Sequence, residues 1–131
     1  MNNMPLVAGV ILLAIIEYLV LGGMVGRARA KYGVKAPATF GNEMFERHFR
    51  VHYNTLEQLV AFVPAIWFFG TFISERWAAG IGLVFVIARV VYATGYVKDP
   101  RKREVGALLT AASVIILVLG GLYGAIRASM G

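Results

Sequence analysis

Four apolar segments, at about residues 5–25, 51–73, 77–96 and 105–126, take up most of this 131-residue chain. Each is close to the roughly 20 residues that a helix needs to cross a hydrocarbon core. In that solvent every backbone polar group must be satisfied within the protein, which leaves helices or closed barrels, and segments of this length are helices. The sequence therefore predicts an all-α integral membrane protein, with residues 1–131 forming a single four-helix transmembrane domain. Composition agrees. The chain is 59% hydrophobic and 15% charged with a mean hydropathy of +0.70, where a soluble domain is nearer half apolar and about a quarter charged. The opening Met1-Asn2-Asn3 has no basic stretch, and no small-residue cleavage pattern follows the first segment, so that segment is expected to remain as a helix.

The net charge of +6 could suggest nucleic acid. Its placement argues otherwise, because the positive residues gather at the ends of apolar segments and no soluble basic domain is present. Arg27, Arg29, Lys31, Lys35, Arg47 and Arg50 belong to the first loop and its edges. Lys98, Arg101, Lys102 and Arg103 belong to the third. Ten of the 13 lysines and arginines thus share one side. The positive-inside rule puts the basic loops 27–50 and 97–104 in the cytoplasm and both termini outside, with a bacterial inner membrane as the expected location. Ser74, Glu75 and Arg76 alone separate the second and third segments, which predicts a tight antiparallel pair.

Ionisable groups inside such segments are costly unless they are paired or face a protein interior. Arg50, Asn54 and Glu57 stand at i, i+4 and i+7, on one helix face. Arg89, Tyr92 and Tyr96 form a second stripe on the third segment, at i, i+3 and i+7. Arg89 needs a partner, and Glu57 with the polar face of the second helix is the expected one. Such a pair could equally do no more than fix helix register, and Tyr96 could belong to an interfacial aromatic belt.

Glu17, about halfway along the first segment, is a further buried charge. It permits a different reading, as the carboxylate of a small proton-coupled multidrug transporter, although pairing within the bundle or across a subunit contact suits it better. His48 and His52, at i, i+4 without an acidic third ligand, are a weak metal signal. The chain has no cysteine, so any thiol chemistry needs a thiol from elsewhere.

The run FERHFRVHYNTLEQL, followed some thirty residues later by ARVVYATGYVKDPRKREVGAL, resembles the family of membrane-associated proteins in eicosanoid and glutathione metabolism. Three motifs in order carry the likeness: VGRARAKYGV at the basic end of the first helix, E-R-x-x-R-x-x-x-N-x-x-E on the second, and A-R-x-x-Y-x-x-G-Y with a basic cluster after it on the third. The resemblance implies a homotrimer of four-helix subunits. It also implies glutathione, as co-substrate, bound between neighbouring subunits near the cytoplasmic side, and a lipophilic electrophile reaching it from the bilayer.

By that resemblance Arg29, Arg50, Asn54, Glu57, Arg89, Tyr92 and Tyr96 match positions that line the glutathione site. Glu57 would take the amino group, Arg29 and Arg50 the carboxylates, and Asn54 and the tyrosines would add hydrogen bonds. Arg103 matches the arginine assigned to the thiol. A thiol titrates near about 8.5, and each unit of depression needs about 1.4 kcal/mol of preference for the anion, which one well-placed guanidinium can supply. The implied activity is a glutathione transferase acting on lipophilic electrophiles, or a peroxidase reducing lipid hydroperoxides, with no metal or redox cofactor required. A non-catalytic membrane scaffold of the same fold is the alternative. Two departures stand out: Gln58 where the eicosanoid-forming branch has tyrosine, and Pro64 about one turn later than the helix proline of that branch.

Overall fold

The computed structural model describes residues 3–131, so Met1 and Asn2 of the opening tripeptide lie outside it. Its four long helices run Pro5–Tyr32 (α1), Glu43–Phe72 (α2), Glu75–Lys98 (α3) and Glu104–Met130 (α4), and a short 3-10 turn, Pro100–Arg103, leads into α4. All four are long and apolar enough to cross a membrane, and the described residues contain no strand.

The helices extend beyond the apolar segments that announce them. At 28 and 30 residues, α1 and α2 rise about 42–45 Å, against a hydrocarbon core of about 30 Å. The expected first loop, 27–50, accordingly shrinks to residues 33–42, because RARAKY continues α1 and EMFERHFR opens α2. Hydropathy marks only the length of helix that lipid must cover, and charged helical ends in headgroups or water do not register in it.

Local chemistry sets the ends. Pro5 occupies the first turn of α1, where a missing N–H costs nothing. Gly33 ends the helix at φ 69°, a left-handed cap that a side chain would strain. Asn42 caps α2 by accepting from the Phe45 amide at 3.0 Å, and Ser74 caps α3 by accepting from the Trp77 amide at 3.2 Å. Only Ile73 and Ser74 separate α2 from α3, which gives the expected tight antiparallel pair.

The α2–α3 pair is the spine, with α1 and α4 packed on its two flanks. Phe62 of α2 and Phe85 of α3 stack at its centre, ring centroids 3.8 Å apart and planes 8° apart. Val7, Val10, Ile66 and Leu117 close the core around them. Lipid gives apolar helices little reason to prefer one another over acyl chains, so close approach through small residues must hold the bundle. Gly106 shows this best: a Cβ there would collide with the Tyr92 backbone, so α4 lies directly on α3 at the level of the second polar stripe.

Arg47 locks the end of α3 that leads to Arg103. Its Nη1 donates to the carbonyls of Val97 and Lys98, both at 3.0 Å, where the helix dipole is negative. Its Nη2 pairs with Glu43 at 2.7 Å.

Candidate functional site

Arg89 is the largest fully buried side chain of the bundle, 1% exposed. Its Nη2 donates to Asn54 Oδ1 at 2.7 Å and to Thr55 Oγ1 at 2.9 Å, and its Nη1 to Thr110 Oγ1 at 3.3 Å. The two threonine hydroxyls are set up for this. Thr55 donates its own proton to the Val51 carbonyl at 2.8 Å and Thr110 to the Gly106 carbonyl at 2.7 Å, leaving oxygen lone pairs turned to the guanidinium. The guanidinium also lies over the Tyr92 ring, 4.3 Å from its centroid. One residue of α3 thereby ties α2 and α4 together.

The expected polar face of α2 meets Arg89 through Asn54, but the expected ionic partner, Glu57, is not there. Glu57 is exposed and makes no ion pair with Arg89, and among the described residues only Arg47–Glu43 and Arg101–Asp99 form salt bridges. At 100° per residue Glu57 falls on the outward face of α2 with Arg50, whereas Thr55 points into the bundle and Asn54 lies between. The charge of Arg89 is met by neutral oxygens, an arrangement that hydropathy and charge pairing do not anticipate. Thr55 and Thr110 are not among the residues expected from the sequence, where each is a single hydroxyl in an apolar segment.

A polar cavity of about 220 Å³ opens beside this network, lined by Asn54, Gln58, Arg89, Tyr92, Arg103 and Thr110. Four predicted site residues, Asn54, Arg89, Tyr92 and Arg103, therefore meet on one wall, together with Gln58. Arg103 is exposed at the end of the 3-10 turn, where its Nη1 donates to the Pro100 carbonyl at 2.8 Å. That turn is anchored by Asp99, which accepts from the Arg101 amide at 3.1 Å and pairs with the Arg101 side chain at 3.3 Å. The Arg101 amide above all, and then its guanidinium, hold the Asp99 carboxyl below the usual carboxylate range. Gly95 lets the turn sit against α3, since a Cβ there would stand 2.6 Å from the Lys102 carbonyl oxygen.

The remaining predicted residues lie around the rim or away from it. Tyr96 is half-buried and stacks on Tyr92 at 5.7 Å. Arg50 is exposed one turn before Asn54. Glu57 is exposed one residue before Gln58. Arg29 is not brought to this cavity: its Nη1 donates to the carbonyls of Val34 and Ala38, at 3.4 and 2.8 Å, and its guanidinium covers Phe45 at 4.7 Å. Within one chain it holds the first loop against α2. His52 stacks on Tyr18 at 4.4 Å, and no group of three His, Cys, Asp or Glu residues is gathered among the described residues.

Such a wall suits a small anionic ligand. The guanidinium groups of Arg89 at its back and Arg103 at its mouth supply positive potential in a partly dry setting, and amide, phenol and hydroxyl groups supply oriented hydrogen bonds.

Comparison with known proteins places the chain in a family. A family model described as MAPEG matches residues 7–123. An uncharacterized protein of Synechocystis is 53% identical over 110 residues, covering 84% of this chain and 80% of its own. Human microsomal glutathione S-transferase 2 is 34% identical over 123 residues, covering 94% of this chain and 84% of its own. Bovine leukotriene C4 synthase is 32% identical over 117 residues, covering 89% and 78%.

Proposed function

The chain belongs to the MAPEG family, the membrane-associated proteins in eicosanoid and glutathione metabolism, and from that membership we propose that it is a glutathione-dependent membrane transferase acting on lipophilic electrophiles. The observation that carries the reading is the single cavity shared by Asn54, Arg89, Tyr92 and Arg103. Relatives named as a glutathione transferase and as leukotriene C4 synthase, each matched along most of its length, support it.

Glutathione brings two carboxylates, one ammonium and one thiol. Arg50 at the rim binds a carboxylate and Glu57 the ammonium. Arg89 is already held by three oxygens of its own chain, so its part is to orient Asn54 and to lend positive potential to the back wall. Tyr92 and Tyr96 donate phenolic hydrogen bonds. The thiol lies at Arg103, on the exposed side of the cavity, where the guanidinium favours the thiolate over the thiol. Sulfur then attacks the electrophilic carbon, the C–S bond forms as the leaving group departs, and the thiol proton goes to solvent at the cytoplasmic mouth.

The same reading takes the protein as one four-helix domain assembled as a homotrimer. Its basic loops lie in the cytoplasm and its termini outside. Arg29, which faces away from the cavity of its own chain, then supplies a carboxylate contact to the cavity of the neighbouring subunit. Reduction of lipid hydroperoxides by the same thiolate is the companion activity.

Equilibrium binding of glutathione to the detergent-solubilised protein tests the ligand assignment. Saturable binding is expected, weakened about tenfold or more by Arg50→Ala and by Glu57→Gln, the scale of one charge-assisted contact. Absence of binding to the unmodified protein would overturn it.

A further inference from the structure

A second and larger hollow, of about 500 Å³, lies on the other side of Arg89, between α1 and α3. It is apolar along most of its length, with Val20 and Val90 at its lips 57% and 50% exposed, so it opens on the outer face of the chain's apolar helices. Two buried polar atoms on this side are left without partners: Oε1 of Glu17 and Nε of Arg89. One accepts a hydrogen bond and the other donates one. Glu17 and Arg89 line the same hollow, yet no ion pair joins them among the described residues. At the cytoplasmic end the same hollow is bounded by His48 and Lys98.

From this pattern we infer that the α1–α3 groove binds a long-chain fatty acid carrying a mid-chain hydroxyl, with its carboxylate at Lys98 and His48 and its hydroxyl between Glu17 and Arg89. A buried unpaired donor and acceptor in a native fold call for a partner. A hydroxyl satisfies both at once, accepting from Arg89 Nε–H and donating to Glu17 Oε1. The length fits. Nine residues of α3 separate Arg89 from Lys98, a rise of about 13 Å, and an extended alkyl chain of ~1.5 Å bonds advances about 1.3 Å per carbon, so the hydroxyl belongs near the tenth carbon. A diacyl lipid would satisfy the rim alone and leave the inner pair unpaired. Arg89 lines both hollows, whereas Arg103, Asn54 and Gln58 line only the smaller one, so the groove's occupant is set apart from the thiol and the inference does not depend on that chemistry.

The test is retention of radiolabelled fatty acids by the full-length protein in dodecyl maltoside micelles, corrected against empty micelles. Stearic acid hydroxylated at its tenth carbon is expected to bind about tenfold more tightly than stearic acid or the isomer hydroxylated at its second carbon, the scale of one buried hydrogen bond. Glu17→Leu, an apolar replacement that a membrane helix accommodates, is expected to abolish the preference while stearic acid still binds. Lys98→Ala combined with His48→Ala is expected to weaken both acids alike. Equal binding of the three acids to the unmodified protein would overturn the inference, as would a preference that survives Glu17→Leu. So would the lack of any saturable binding, the result expected if water or a second copy of the chain fills the groove.

Discussion

The 2.7 Å hydrogen bond from Arg89 to Asn54 joins the two polar stripes of the sequence, α3 to α2, without an opposite charge between them. A buried guanidinium held by neutral oxygens depends on every one of them, because the loss of one leaves a charge partly unsolvated in a low-dielectric interior.

Thr55→Val keeps the shape of the side chain and removes an acceptor from Arg89. It is expected to cost about 1–3 kcal/mol, the range for stranding a buried donor, read as a lower midpoint of unfolding in detergent. Replacing Glu57 by Gln is expected to leave that midpoint unchanged, because Glu57 is exposed and unpaired with Arg89. An equal loss in both variants would show that Glu57, not Thr55, supports the arginine.

Gly106→Ala puts a methyl group against the Tyr92 backbone. Overpacking of this kind costs about 1–3 kcal/mol, and here it also pushes α4 and the 3-10 turn off α3. The unfolding midpoint is expected to fall, and glutathione affinity to fall further than the midpoint alone explains, because Tyr92 and Arg103 line one cavity. Unchanged affinity in the folded variant would mean that the α3–α4 distance does not set the site.

Asp99 gives the turn before Arg103 a pH dependence. Its folded-state carboxyl titrates below the ordinary value of about 3.9, chiefly through the Arg101 amide. A depressed carboxylate contributes order that is fully present above the unfolded-state value and lost as pH falls through the folded one. Hydrogen exchange at the Arg101 amide, corrected for its intrinsic rate, is therefore expected to accelerate as pH drops below about 4. In Asp99→Asn that acid-induced step should vanish. An identical step in the variant would place its origin elsewhere.

The fold was legible because lipid leaves so few options: four apolar segments of spanning length can only be four helices. Their true ends were less so, since Arg27, Arg29 and Lys31 continue α1 and Glu43 to Arg50 begin α2 beyond the reach of hydropathy. Of the candidate site, Asn54, Arg89, Tyr92 and Arg103 were expected from spacing and resemblance, and the structure gathers them on one cavity. The pairing of Arg89 with Glu57 was wrong because charge complementarity ignores the helical phase that turns Glu57 outward. Thr55 and Thr110 escaped notice because a single hydroxyl in an apolar run reads as tolerated polarity until its partner across the bundle is known. The role of Gly106 depends on the distance between two helices, which no single segment encodes.

In the function proposed above, Arg103 holds bound glutathione as its thiolate. Ultraviolet difference absorbance on adding glutathione to the solubilised protein at neutral pH measures that species directly. The unmodified protein is expected to show a saturable thiolate band, Arg103→Lys a weaker one, and Arg103→Ala at most about a tenth of it, with conjugation of a chlorinated nitroaromatic falling about a hundredfold or more. A full thiolate band in Arg103→Ala, with glutathione still bound, would contradict the account.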